Sequence, residues 1–180
     1  MFIDCNLLTM AKLRKFSSYQ SLERPYTRIS KFSAKNFVRG GVPALKITKF
    51  DMGNARRKYD ATIQLISLRS MNIRHNALEA ARMSSNRVLE TQIANAYHLR
   101  VKTYPFHVLR ENPLAAGAGA DRMSTGMQKS YGKVMGAAAR IKAGQTVIEV
   151  KTDKQNLKLA KKALGVAATK IPCPCKIVAL

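Results

Sequence analysis

The chain has 180 residues, with 32 Lys plus Arg against 10 Asp plus Glu, a formal charge of +22 and a pI of about 10.5. A free-standing globular protein gains nothing from that much self-repulsion, whereas neutralised phosphates release counterions, so the implied partner is a polyanion, and nucleic acid above all. Membrane is excluded for want of any run of about 18 apolar residues, and three cysteines, Cys5, Cys173 and Cys175, fit a reduced, cytosolic chain without a disulfide framework.

Residues 1–10 are mildly apolar with Asp4 among them, which is not a secretory signal, and both Met1 and Met10 read as possible starts. Residues 11–43 mix Lys, Arg, Ser and Gly without sustained periodicity, and Glu23 is their only acid. Residues 1–43 are therefore expected to form a basic arm, partly disordered when free, and residues 44–180 the folded domain. Alternation at Leu45, Ile47 and Phe50 predicts a strand, and Asp51-Met52-Gly53-Asn54 has turn chemistry. A second strand over 59–68 puts Ala61, Ile63 and Leu65 on one face and Thr62, Gln64 and Ile66 on the other.

From 72 to about 95, Ile73, Ala77, Ala80 or Ala81, Ser84 and Val88 recur at three and four residues, which predicts a helix capped by Asn72, with Arg74, Arg82 and Arg87 on its outer face. Strands are expected at about 97–103, 106–109, 134–141 and 146–151, the last two joined by a turn at Ala143-Gly144-Gln145. Asp153 offers an N-cap to a second helix over 154–169, whose apolar stripe is Leu157, Ala160, Ala163, Leu164, Ala167 and Ala168. Pro172 ends it, and residues 175–179 suit a closing edge strand. Two helices among mostly antiparallel strands, without strand-helix-strand alternation, predict an α+β fold in which a sheet is layered with two helices.

Between Arg110 and Val134 the apolar alternation stops. A connection of about 20 residues is long for a compact domain and points to function. Its glycines allow close backbone approach to a ligand, while Arg110, Arg122, Lys129 and Lys133 supply phosphate donors opposed only by Glu111 and Asp121, the pattern of a finger for RNA. Catalytic chemistry is not indicated: the ten acids are scattered, and no metalloprotease helix or Walker loop is present. Cys173-Pro174-Cys175 lacks two further zinc ligands, and His75, His98 and His107 show no metal spacing, so no cofactor is expected. His107 reads as a hydrogen-bonded boundary group in preference to a general base, and Met71, Met83, Met123, Met127 and Met135 read as packing residues.

Several segments occur in a specific order between residues 24 and 178: Asp51-Met52-Gly53-Asn54; Ile73-Arg74-His75-Asn76-Ala77-Leu78-Glu79-Ala80-Ala81-Arg82; Tyr104-Pro105-Phe106-His107-Val108-Leu109-Arg110-Glu111-Asn112. They continue with Gly117-Ala118-Gly119-Ala120-Asp121-Arg122, Gly126-Met127, Gly132-Lys133, Ala138-Ala139-Arg140 and Ile171-Pro172-Cys173. Together they resemble the universal large-subunit ribosomal protein family "L sixteen", in its archaeal and eukaryotic form "L ten e". The resemblance implies a hammerhead-like α+β domain, cytoplasmic and seated in the large ribosomal subunit. It also implies as partners large-subunit rRNA, neighbouring ribosomal proteins, transfer RNA in the aminoacyl site and subunit assembly factors.

The internal loop, about residues 112–131, would then point toward the peptidyl transferase centre and serve late assembly, with peptide-bond chemistry left to RNA. On this chain the expected rRNA-binding set is Arg24, Arg28, Lys31, Lys35, Arg39, Arg74, His75, Arg82, Arg87, Arg110 and Arg140. The expected loop set facing transfer RNA is Asn112, Gly117, Gly119, Arg122, Gly126, Met127, Lys129 and Lys133. The rival readings are an RNA-acting enzyme, which the scattered carboxylates disfavour, and a free RNA chaperone, which would leave mature subunits in a salt wash.

Overall fold

A computed structural model describes residues 14–32, 35, 38, 41–112 and 132–179. In chain order these contain β1 (Asp51–Gly53), β2 (Ala61–Ser67), β3 (Met71–Arg74), α1 (His75–Ile93), β4 (Tyr97–Val101), β5 (His107–Glu111), β6 (Lys133–Ile141), β7 (Thr146–Thr152), α2 (Leu157–Ala168) and β8 (Cys175–Ala179). Short 3-10 turns lie at Phe16–Tyr19 and Lys154–Asn156. The fold is α+β as the pattern predicts, but the strands divide into two antiparallel sheets: five strands in the order β1-β4-β7-β2-β8 and three in the order β3-β6-β5.

The larger sheet follows from alternation. In β2 the side chains of Ala61, Ile63, Leu65 and Ser67 are buried while the residues between them are half-buried. Central β7 is buried continuously from Val147 to Val150, because neighbours flank it on both sides and both faces are covered. The edge strand expected at 175–179 forms as β8 beside β2. Helices α1 and α2 pack on each other, α2 reaching β2, β7 and β8, and α1 reaching β3, β4 and β6. Ala160, Ala163, Leu164 and Ala167 form the buried face of α2, as its stripe predicts. Small alanines let the helices approach closely, and each fully buried Leu, Ile or Val contributes about 1.5–3 kcal/mol of transfer free energy.

Six sequence expectations are corrected. Residues 45–50 do not form a strand; they are anchored by single hydrogen bonds, Lys46 N to His75 Nδ1 at 2.9 Å and Val101 N to Phe50 O at 2.8 Å. The strand begins instead at Asp51, inside the expected turn, with Gly53 at φ +81° where β1 meets Tyr97. Asn72 does not cap a helix: it lies in β3, and α1 starts at His75 directly after Arg74, with no loop between strand and helix. The buried face of α1 is consequently His75, Leu78, Ala81, Ser85 and Leu89, one residue out of step with the expected set apart from Ala81. Asp153 makes no cap hydrogen bond; its Oδ2 accepts from Arg57 Nη2 at 2.6 Å. Met71 is buried but Met83 is 56% exposed and packs in no core.

Candidate nucleic-acid interface

The basic arm lies against the three-stranded sheet and touches every strand of it. On β3, Asn72 Nδ2 donates to the carbonyls of Tyr19 (3.0 Å) and Ser21 (2.7 Å), and Asn72 N donates to Gln20 O at 3.1 Å. On β6, Arg140 Nη2 donates to Glu23 O at 2.8 Å. On β5, Val108 N donates to Tyr26 O at 3.1 Å and Tyr26 N donates to His107 Nδ1 at 3.0 Å. Glu111 closes the set, accepting from Tyr19 Oη at 2.8 Å and pairing with Arg14. Asn72 and Glu111 are both buried; the bonds of Glu111 and of the Asn72 amide nitrogen offset their lost hydration, while Asn72 Oδ1 is buried without a hydrogen-bond partner among the described residues.

Two histidines, His107 on β5 and His75 at the start of α1, hold chain rather than protons. Burial, reinforced by the nearby Arg140 and Arg110 cations, pushes His107 down to about 4. It is therefore neutral at physiological pH, with Nδ1 accepting and the ring proton on Nε2. His75 is lowered likewise, by burial first and then by Lys46 and Arg74, and its Nδ1 accepts from Lys46 N. Expected as an RNA contact, His75 is 8% exposed and built into the fold.

A cleft of about 530 Å³ opens between the arm and β5, lined by Arg14, Arg24, Tyr26, His107, Arg110 and Glu111 among others. A register shift between Leu109 and Arg110 re-aims Arg110, whose guanidinium sits 4.0 Å from the Tyr26 ring centroid. The arm cations Arg24, Arg28, Lys31 and Lys35 are exposed, as are Arg87 on α1 and Lys133 and Arg140 on β6; Arg74, Arg110 and Asn112 are half-buried. Arg82 departs from the outer face expected for it. With 13% of its side chain exposed, it donates to both carboxylate oxygens of Glu79 and, through Nη1, to Met52 Sδ at 3.0 Å, tying α1 to β1. Arg39 and the loop residues Gly117, Gly119, Arg122, Gly126, Met127 and Lys129 lie outside the described residues, as do Cys5, Met123 and the candidate starts Met1 and Met10.

Electrostatics make this surface one-sided. Of the described acids, Asp51 faces His98 and Arg100, Glu79 holds Arg82, Glu90 accepts from Tyr97 Oη, Glu111 holds Arg14, Glu149 holds Lys102 and Lys151, and Asp153 holds Arg57. Only Glu23 and Asp60 remain among them, and the exposed Arg24, Lys31, Lys35 and Arg87 form no ion pair among the described residues. Sequence reasoning missed Tyr19, Tyr26, Asn72 and Glu111 as the residues that seat the arm, because their contacts join positions up to 92 apart.

Among the described residues no cluster of His, Cys, Asp and Glu is placed to hold a metal ion, and no helix is long and apolar enough to cross a membrane. Cys173 is buried with Sγ 2.9 Å from Ser67 Oγ, and burial next to Cys173 pushes the Cys175 thiol up to about 11.

Residues 23–178 match the family described as Ribosomal protein L16p/L10e. Among curated relatives, the large ribosomal subunit protein uL16 of Staphylothermus marinus is 44% identical over 160 residues, covering 86% of this chain and 92% of its own. The protein of the same name from Picrophilus torridus is 44% identical over 158 residues (86% and 89%), and that from Hyperthermus butylicus 46% over 154 (85% and 82%). The matched span takes in both sheets, both helices and the arm contacts at Glu23 and Tyr26, while those at Arg14, Tyr19, Gln20 and Ser21 precede it. With that span and that identity, the chain belongs to the ribosomal protein L16p/L10e family, as a structural protein of the large ribosomal subunit and not an enzyme.

Proposed function

We propose that this ribosomal protein binds large-subunit rRNA through the exposed cations of its arm and of α1 and β6, and that the segment at about 112–131 forms part of the aminoacyl-site cleft for transfer RNA. The observation that carries the reading is the engagement of six described carboxylates within the fold, which leaves Arg24, Lys31, Lys35, Arg87, Lys133 and Arg140 without an ion pair among the described residues. Each is free to neutralise a phosphate, and the two sheets fix their spacing. The arm's seat on β3, β5 and β6 sets the phosphate-binding side chains at the root of the segment that reaches transfer RNA. Any influence on peptide-bond formation then comes from positioning substrate RNA, and late subunit maturation uses the same segment.

Crosslinking in cells, with sequencing of the attached RNA and parallel salt washing of subunits, tests this. Reads concentrated on large-subunit RNA around the aminoacyl-site cleft, with the protein retained after washing, are expected. Reads scattered over other RNAs, with the protein lost, would instead identify a chaperone.

A further inference from the structure

Between β4 and β5 the chain runs extended, and burial alternates residue by residue: Thr103, Pro105 and His107 face inward while Tyr104 and Phe106 face out. Phe106 is 69% and Tyr104 43% exposed, although both are large aromatic side chains that a soluble surface ordinarily covers. They are not loose. Phe50, packed against the core, stacks on Tyr104 with ring centroids 5.2 Å apart and planes at 26°, and Tyr104 meets Phe106 at 4.4 Å and 45°. Backbone bonds fix the base of this ladder: Val101 N donates to Phe50 O, Lys102 N to Val147 O and Phe106 N to Tyr104 O. The result is a rigid run of three rings leading from the core to solvent, with the outermost ring open.

We propose that Phe106, backed by Tyr104 and Phe50, is a stacking platform for an unpaired nucleobase of large-subunit RNA. The inference rests on the rRNA-binding reading and adds to it a contact of different chemistry, π-stacking instead of charge. Two features favour a base over a partner protein's side chain. A ring already braced by a second ring offers its open face to the planar face of a base and needs little ordering on binding. The chain is also strongly cationic, with Lys49 next to Phe50, so the sugar-phosphate that carries the base is drawn to the same place. Preorganised aromatic platforms of this kind accept any base whose neighbours leave it unstacked, so the expected partner is a bulged or loop nucleotide.

The test replaces Phe106, in the full-length chain, by a photoreactive benzophenone amino acid and irradiates assembled large subunits. A crosslink to one or two unpaired nucleotides of large-subunit RNA is expected; a crosslink to another protein, or none, overturns the proposal. A second measurement sets variants in competition with the parent chain for incorporation into subunits at several salt concentrations. Phe106→Leu, which keeps apolar bulk but removes the ring, should be disfavoured roughly tenfold without changing the salt dependence, and Phe106→Trp should compete equally. Equal incorporation of Phe106→Leu would also overturn it. If photoreactive groups placed at Arg28 and Arg87 reach large-subunit RNA while position 106 does not, only the platform fails; if none of the three does, the rRNA-binding reading fails with it.

Discussion

Gly53 and Gly144 share a backbone angle of φ +81° but not an environment, and exchanging each for alanine separates two costs that are usually entangled. A Cβ on Gly144 would meet nothing within 4 Å, so Gly144→Ala carries only the left-handed penalty of about 1–2 kcal/mol. A Cβ on Gly53 would lie 2.2 Å from the carbonyl oxygen of Tyr97 and 3.0 Å from its carbonyl carbon. Both are backbone atoms of β4, so no side-chain rotation relieves the contact. Strand β1 must move away, and the bond from Asn54 N to Tyr97 O at 2.9 Å stretches or breaks. Adding about 1 kcal/mol for that bond and about 1–3 kcal/mol for the overpacking gives roughly 3–6 kcal/mol for Gly53→Ala. For a chain of this size each kcal/mol corresponds to about 2–4 °C in Tm. Urea denaturation of the purified proteins at constant m value, with thermal melts alongside, both followed by circular dichroism, would measure both. Gly144→Ala should remain within a few degrees of the parent, and Gly53→Ala should lose on the order of 10 °C or more. Equal losses would refute the steric argument, because the shared φ would then account for everything.

Arg82→Ala and Arg87→Ala should fail in different assays. The first breaks the Glu79 and Met52 ties and should destabilise the fold by about 1–3 kcal/mol; the second should leave the melting curve alone and lower the salt slope of RNA binding by roughly one unit, and an unchanged slope would mark Arg87 as merely solvated. His107 gives a pH signature. Its folded value of about 4 lies below the unfolded 6.5, so the unfolded chain binds the extra proton, and stability should fall as pH drops from about 6.5 toward 4, by up to about 1.4 kcal/mol per pH unit. His107→Gln should flatten that part of the profile in urea titrations at pH 5 and 7; an equally steep decline in the variant would assign it to other groups. Replacing residues 115–129 by a short Gly-Ser turn should leave the melting of the remaining domain intact but slow late subunit maturation or transfer-RNA accommodation, and normal polysomes and growth with that variant would remove the loop from the proposal.

The sequence was legible where burial is one-sided and partners are near. Ala61, Ile63 and Leu65 announce β2 because one face alone is dry, and the alanine stripe of α2 needs no knowledge of what lies beneath it. The start of α1 was misread because Ile73 serves a strand while Ala77 serves the helix that follows without a break, so residues at helical spacing belong to two elements and the inferred face slipped by one. Residues 45–50 alternate convincingly yet pair with an isolated acceptor on α1 and an isolated donor on β4, a choice made by tertiary contacts that no local window contains. At the site, the cations were visible as composition, but which of them carboxylates hold was not: Arg82 and Arg87 look alike in sequence, and only the placement of Glu79 and Met52 distinguishes them. The family motif around Gly53 does have a local physical reason, since its missing side chain is what lets β1 close on Tyr97.

The direct passage of β3 into α1 between Arg74 and His75 makes a mechanical unit of parts that the two-sheet topology would otherwise leave independent. Strands β5 and β6, whose ends at Glu111 and Lys133 emit the long segment, are laddered to one another, and β6 to β3. Since no hinge residue separates β3 from α1, a tug on that segment is delivered as torque on a helix of 19 residues that leans on α2 and the larger sheet. The protein therefore resists such a load as a lever with its fulcrum at His75, where the bond from Lys46 N clamps the joint.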